Sequence, residues 1–328
     1  MTAERLPWVS QDPASLRLLE LAQKVAPTAT TLLIVGESGT GKDHLARLIH
    51  EIGPRRDAPY LKIDCASLPP HLVESELFGH ERGSFTGAVE RKLGRLEMGG
   101  VGTIVLDEVA ALSPEAQGKM LRVLQERSFE RLGGTETLHI SARIIALTNT
   151  DLPTAVKSGA FREDLYFRLN VLTLAVPPLR ERRADILPLA EYLLNIVRVV
   201  HGRAAAALSE SSRRMLSAYN WPGNIRELRN VLERAVVFSR PSVAATDRSS
   251  AGSGGEMLLE PADFPENIRV AAGGASYSGA GLLSLEEIER NAIAATLEAT
   301  HYQITRSSEI LGISRKTLLE KRKKYGLK

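Results

Sequence analysis

Residues 31–35 read Thr-Leu-Leu-Ile-Val and run directly into Gly-Glu-Ser-Gly-Thr-Gly-Lys-Asp at 36–43. The first stretch is short, apolar and β-branched, which suits a strand buried on both faces of a parallel sheet. After the glycines, Leu45, Leu48, Ile49 and Ile52 fall at helical spacing. Strand, glycine-rich turn and helix in that order make a phosphate cradle. The glycines let backbone N–H groups converge, the helix N-terminus adds positive potential, and Lys42 reaches the outer phosphates. The candidate nucleotide-binding residues are therefore Gly36, Glu37, Ser38, Gly39, Thr40, Gly41, Lys42 and Asp43. Asp43 stands where the strict pattern carries Ser or Thr for Mg2+. The bare Gly-x4-Gly-Lys pattern arises by chance in roughly one chain in ten of this length, so a nucleotide site also needs a second half downstream.

That second half is present. Thr103-Ile104-Val105-Leu106 is a buried-strand run ending in Asp107-Glu108. The first carboxylate can hold Mg2+ through water at the strand's C-terminal edge, and the second can polarise an attacking water. Leu61-Lys62-Ile63-Asp64 alternates and predicts another strand, and Arg143–Leu147 a further one that delivers Thr148-Asn149 to the same edge. Asn149 either senses a phosphate there or caps the following turn. The expected fold class is α/β, a parallel sheet in αβα layers.

Around this core the helical signals are regular. Asp12-Pro13 opens a helix with Leu18, Leu21, Ala22 and Val25 on one face. Ser113-Pro114 caps another, and helical periods run over 185–200, 209–219 and 224–239. In the last of these, Asn224 is expected as N-cap with Glu227 as its capping-box partner. Residues 241–281 then turn Gly/Ser/Ala-rich, as in a flexible tether, with 258–270 docking at most loosely.

Charge separates the two ends. The net charge of +3 conceals eight Lys/Arg against two Asp/Glu in residues 301–328, which leaves 34 basic against 37 acidic residues before them. A basic end on a mildly acidic body suggests a nucleic-acid module. There, 305–311 reads as a helix, Gly312 breaks it, and Ser314 caps a basic helix with Ile313 and Leu318 as a hydrophobic staple; Leu285, Ile288, Ile293 and Leu297 line a preceding helix. Arg315, Lys316 and Thr317 are placed to reach base edges, and Lys321, Arg322 and Lys324 to contact phosphates. A solvated charged face is the plain alternative. The single cysteine, Cys65, allows no internal disulfide, and no apolar run reaches membrane-spanning length, so a cytoplasmic protein without membrane contact is expected.

One segment fits neither helical nor strand period. Gly79-His-Glu-Arg-Gly-Ser-Phe-Thr-Gly-Ala88 brackets a lone Phe85 with glycines. Read from the residues alone, Phe85 either tucks back into the core or is presented to a partner. With the preceding Glu74–Phe78, this segment resembles the signature loop of the bacterial enhancer-binding proteins, AAA+ ATPases that activate RNA polymerase carrying sigma-54. The family loop reads GAFTGA; here Ser84 replaces its Ala, while Gly83, Phe85, Thr86, Gly87 and Ala88 are kept. Residues 161–186 and the WPGNIREL run are close to the same family's pattern, and 307–327 resembles its Fis-type DNA-binding end, with Ser307-Ser308 in place of Ala-Ala.

The resemblance implies a full architecture. It comprises an AAA+ P-loop αβα domain (7–176) with sigma-54 contact loop 83–88, a helical lid (177–240), a linker (241–281) and a small all-α helix-turn-helix domain (282–328). It implies ATP and Mg2+ as cofactors, Asp107 as the metal-holding carboxylate, Glu108 as the residue orienting water, and Arg162 and Arg168 as fingers from a neighbouring subunit. Asn149 and Arg226 become the residues that sense phosphate from sheet and lid. Partners would be sigma-54 RNA polymerase, upstream DNA and copies of the chain in a hexameric ring. Little chain precedes the ATPase domain, so control is expected from a regulatory protein in trans, unless the chain is a fragment. At Asp64 the family commonly carries Asn, which can restrain the Walker B glutamate. Asp64 has no donor and is the switch candidate, either sharing a proton with Glu108 or turning away from it. A regulator that has lost sigma-54 contact would be favoured by an altered Phe85-Thr86, and a remodelling ATPase outside transcription by a missing basic helix; both features are intact.

Overall fold

Alternation within the apolar runs is what layers the molecule. A computed structural model describes residues 8–201, 206–239, 257–272, 289–290, 293–294, 296–297, 300 and 302–326. Strands β1 (Leu32–Val35), β2 (Tyr60–Asp64), β5 (Thr103–Asp107), β8 (Arg143–Thr148) and β9 (Leu172–Ala175) form one parallel sheet in the order β2-β5-β8-β1-β9. Successive side chains leave a strand on opposite faces. Leu33, Ile63, Ile104, Leu106, Ile144 and Ala146 enter one core with residues of α3 (Pro70–Phe78), α4 (Arg95–Met98), α5 (Pro114–Glu126), α6 (Leu152–Lys157) and α7 (Glu163–Leu169). Leu32, Ile34, Val105, Ile145, Leu147 and Leu174 enter the other, with α1 (Pro13–Val25) and α2 (Lys42–Ile52). Both faces are covered, so every residue of β8 is buried. Each fully buried Leu or Ile contributes about 1.5–3 kcal/mol.

The caps of α1 and α5 form as expected: Asp12 accepts from the Ala14 N–H and Ser113 from the Ala116 N–H. On α1, Leu18 and Ala22 are buried while Leu21 remains exposed at the edge of the stripe. Two short antiparallel pairs extend from the sheet domain: β3 (Gly79–His80) with β4 (Lys92–Leu93), and β6 (Ser128–Glu130) with β7 (Thr137–His139).

The lid is built from α8 (Ile186–Val200), α9 (Glu210–Ala218) and α10 (Asn224–Phe238) around the buried Trp221. It also holds part of the expected tether. β10 (Ala206–Leu208) pairs in parallel with β11 (Met257–Leu259), and Leu259, Phe264 and Ile268, the last on α11 (Glu266–Ala272), are buried in the lid core. Residues 257–272 therefore belong to the lid, because these apolar side chains find a hydrophobic surface that the Gly/Ser-rich flanks cannot supply. The tether's remainder, 241–256 and 273–281, lies outside the described residues.

Residues 274–328 form a separate unit. Its helices Ile304–Leu311 and Arg315–Lys324 are joined through Gly312, at φ +65°, and Ser314 caps the second by accepting from the Thr317 N–H. Leu318 is buried with Ile293 and Leu297, and Ile313 packs on the same cluster, so the staple forms. Leu285 and Ile288 lie outside the described residues. Ser307 and Ser308 are buried where the family has alanine, but their hydroxyls donate to the carbonyls of Gln303 and Thr305. The helix contact therefore tolerates both. Among the described residues, no helix is long and apolar enough to cross a membrane.

Candidate functional site

The turn after β1 forms the expected cradle. Gly36 N–H donates to Thr148 O, which fixes the loop to β8, and α2 begins at Lys42. Lys42 is buried, its Nζ donating to the carbonyls of Gly36 at 2.8 Å and Glu37 at 3.1 Å. Burial pushes its ammonium pKa down, against the pull of Glu108, Asp107 and Asp43. A cleft of about 340 Å³ opens beside Gly39, Gly41 and Lys42, with Asp107 and Glu108 at its acidic edge and Trp8, Leu189 and Ile225 among its apolar lining. Trp8 stacks on His44 at 5.6 Å. Phosphate-binding loop, carboxylates and apolar wall thus line one space, which suits a nucleotide.

At the acidic edge, Asp107 ends β5 and Glu108 follows in the left-handed region (φ +51°, ψ +54°). That conformation costs a non-glycine residue about 1–2 kcal/mol and turns the side chain off the strand. The Glu108 carboxylate accepts from the main-chain N–H of Asn149 at 3.2 Å. Asp64 pairs with Asp107 across β2 and β5, but its carboxylate accepts from the Ala66 and Ser67 N–H groups at 3.0 and 3.1 Å. Its Oδ1 is held by its own turn, with no hydrogen bond to Glu108. Lys62, one of the residues the sequence did not single out, donates to Asp43 Oδ1 at 2.5 Å and Asp107 Oδ2 at 2.7 Å. Two carboxylates beside the phosphate loop that already converge on one cation fit Mg2+. Among the described residues no cluster of three His, Cys, Asp or Glu completes a cage, as expected for an ion that takes its remaining ligands from phosphates and water.

The lid grips the loop residue by residue. Arg180 makes a two-pronged pair with Glu37 (2.8 and 2.5 Å), Arg182 donates to Thr40 O at 2.5 Å, and Arg226 donates to Ser38 Oγ at 2.6 Å. Hydrogen bonds from Arg180, then Asn224, hold the Glu37 carboxyl down at about 2. Asn224 is not the N-cap. Gly223 takes that place, its N–H donating to Glu227, while Asn224 at φ +53° accepts from Leu179 N–H and donates to Glu37 Oε2 and Ser38 O. The tight turn after Trp221 leaves the Asn224 amide facing the loop, where it ties lid to cradle.

Arg162 at the N-cap of α7 and Arg168 in its last turn are exposed; neither lines the cleft of its own chain. Arg162 forms a two-pronged pair with Asp164. In the 83–88 loop, Gly83 N–H donates to Ala88 O and Ala88 N–H to Phe85 O, while Thr86 is exposed. Phe85 is half-buried against the edge of His80 at 5.0 Å, between the two arrangements read from the residues. Ser84 packs on Gly133 of the β6–β7 turn, and the buried Arg131 beside it binds Glu81, Glu97 and Glu136.

In the C-terminal unit, Arg315 and Lys316 are exposed at the start of their helix, and Thr317 is half-buried with its hydroxyl on Ser314. Lys321 pairs with Glu289, so its charge is partly spent inside the domain; Lys324 lies over the Tyr325 ring, and Arg322 is half-buried.

Comparison with known proteins covers the whole of this arrangement. Residues 8–175 match the sigma-54 interaction domain, 180–248 the AAA+ ATPase lid domain, and 284–325 the bacterial regulatory protein, Fis family. The chain belongs to the sigma-54-dependent transcriptional activators. It is 40% identical over 326 residues to the transcriptional regulatory protein FlbD of Caulobacter vibrioides, covering 99% of this chain and 71% of that one. To the regulatory protein AtoC of Escherichia coli it is 42% identical, covering 97% and 68%. To the Nif-specific regulatory protein of Azotobacter vinelandii it is 48% identical, covering 73% of this chain and 46% of the relative. The chain therefore spans between about half and seven tenths of these relatives. Crystal structures of NtrX from Brucella abortus superpose with TM-scores of 0.71 in complex with ATP and 0.69 in complex with ADP, at 33% and 32% identity. Each covers 99% of this chain, and the chain covers 71% and 70% of them.

Within this sigma-54 activator, sequence reasoning missed Lys62, Trp8, Arg180 and Arg182. The two arginines lay in the Pro-Leu-Arg-Glu-Arg-Arg run, which reads as surface charge until the lid is folded against the loop. For Trp8 the only signal was a tryptophan just ahead of the first helix.

Proposed function

We propose that the chain binds ATP with Mg2+ in the cleft, hydrolyses it as part of a hexameric ring, and uses the 83–88 loop to remodel sigma-54 RNA polymerase from closed to open complex. The cleft in which Lys42, Asp107 and Glu108 converge carries this reading, on a chain that keeps the Phe85-Thr86 pair. Lys42 and the loop amides hold the phosphates; Asp107 and Asp43 hold the metal; Glu108 orients the attacking water. Mg2+, when bound, neutralises charge on the transferring phosphoryl group. Asn149 and Arg226 report the phosphates to sheet and lid, and Asp64 places no restraint of its own on Glu108. Arg162 and Arg168, exposed and off their own cleft, act on a neighbouring subunit's nucleotide, where a planar guanidinium offsets developing charge. Arg315, Lys316 and Thr317 read upstream DNA, with Arg322, Lys324 and the partly engaged Lys321 on phosphates. The protein works in the cytoplasm.

The test is open-complex formation on a sigma-54 promoter with ATP, with a non-hydrolysable analogue, and with Lys42→Ala. ATP alone is expected to open the promoter, and Lys42→Ala to abolish binding and turnover. Promoter opening by the analogue or by Lys42→Ala would overturn the reading.

A further inference from the structure

Lys62 lies outside the glycine-rich motif and the cleft lining, yet its ammonium stands between two carboxylates from different elements, Asp43 of α2 and Asp107 at the end of β5. The contacts, 2.5 and 2.7 Å, are those of charge-assisted hydrogen bonds. The Asp107 side chain is only 15% exposed, so its pairing is better shielded than an ordinary surface ion pair. Asp43 replaces the neutral hydroxyl of the strict phosphate-loop pattern, so the cation edge carries one negative charge more than that pattern supplies. Lys62 balances that charge. A divalent cation ligated by Asp107 would face the Lys62 ammonium across the same oxygens, and like charges at that separation repel.

We propose that Lys62 is a built-in competitor for the divalent cation: its ammonium holds Asp43 and Asp107 in register and yields Asp107 when Mg2+ binds with the nucleotide. This rests on reading the cleft as an Mg2+–nucleotide site. Mg2+ alone does not displace Lys62, whereas Mg2+ accompanied by phosphates does. Lys62 is thus a positioning residue that ties metal binding to nucleotide binding. A purely structural lysine, clipping α2 to β2 and β5, would affect stability and leave the metal requirement alone.

The test measures equilibrium binding of a fluorescent ATP analogue to the full chain across a Mg2+ titration, for the wild type and for Lys62→Met, which keeps length and removes charge. The half-saturating Mg2+ is expected to fall about threefold to tenfold in the variant, the scale of one partly shielded ion pair. Mg2+ without nucleotide is expected to raise the variant's Tm and not that of the wild type. Lys62→Arg is expected to restore the wild-type requirement, and Lys62→Gln, with the same expectations as the Met variant, covers the case where Lys62→Met fails to fold. Stronger analogue binding with Mg2+ in the wild type is the control for the cleft, and its absence removes both readings together. With that control in place, a lowered Tm and an unchanged half-saturating Mg2+ in the charge-removing variants would overturn the role of Lys62 alone.

Discussion

The phosphate loop and the 83–88 loop are both short and bracketed by glycines, yet their glycines answer to different demands. At Gly39 a Cβ would lie 2.5 Å from the Gly223 carbonyl of the lid, and the residue also sits at φ +77°. At Gly83 and Gly87 the φ values are +80° and +107°, but a Cβ would meet nothing within 4 Å. The first loop is over-determined: lid residues Arg180, Arg182, Asn224 and Arg226 bond to each position from Glu37 to Thr40 or its neighbour. The second is held on its inner side by two internal backbone bonds, the Ser84 N–H bond to Glu81 O, the packing of Ser84 on Gly133 and the His80 contact, with Thr86 left to solvent. The phosphate loop is packed against the lid, while the 83–88 loop keeps its outer surface open, as the ligand and partner contacts proposed for them require.

The sharpest way to break that contrast is to truncate the open loop. Phe85→Ala or Thr86→Ala is expected to reduce promoter opening at least about 50-fold while leaving ATP turnover within about twofold, because neither residue lines the cleft. Equal loss of both activities would show that the loops are not separable.

Alanine at the glycines sharpens the contrast next. Gly39→Ala adds a backbone clash to a left-handed conformation and is expected to weaken nucleotide binding about 10- to 100-fold with a cost of about 2–4 kcal/mol in stability, read by titration and denaturant melts. Gly87→Ala meets only the conformational penalty, about 1 kcal/mol, and keeps wild-type nucleotide affinity. Similar affinity losses in both would refute the difference in packing.

The smallest effect concerns the lid's grip. The Glu37 carboxyl, held at about 2 by Arg180 and Asn224 against an ordinary 4.5, favours the folded lid contact above about pH 4.5. That contribution fades as pH falls toward about 2. Both partners are about two-fifths exposed, so solvent screens most of it. Arg180→Ala is expected to lower Tm by no more than about 2 °C at pH 7, with the gap to wild type closing as pH falls from about 4.5 to about 2. A gap independent of pH would place the effect elsewhere than in the Glu37 pair.

Much of the sheet and of the cleft could be read in advance because period and order are local properties. The runs at 31–35, 103–106 and 143–147 announced buried parallel strands, and glycines or acids at their ends announced the site. What escaped depends on distant contacts. Asn224 looked like an N-cap, since Asn followed three residues later by Glu is a local capping signal; its partners, Leu179, Glu37 and Ser38, become visible only when the lid folds over the loop. Residues 257–272 looked like tether because their flanks are low-complexity, and only the lid core gives Leu259, Phe264 and Ile268 somewhere to go. The Glu289 partner of Lys321 is likewise far along the chain and not visible in the pattern of the basic helix.

The restraint on Glu108 is of a kind that conventional mutagenesis cannot reach. Its donor is the peptide group of Asn149, not the carboxamide. Any replacement at position 149 other than proline carries the same N–H, so a saturation scan there would report on the side chain and stay blind to the bond. Removing it selectively takes a change in the chain itself, such as an ester in place of that one amide. The link between β5 and β8 therefore keeps its donor through any drift at 149 short of proline.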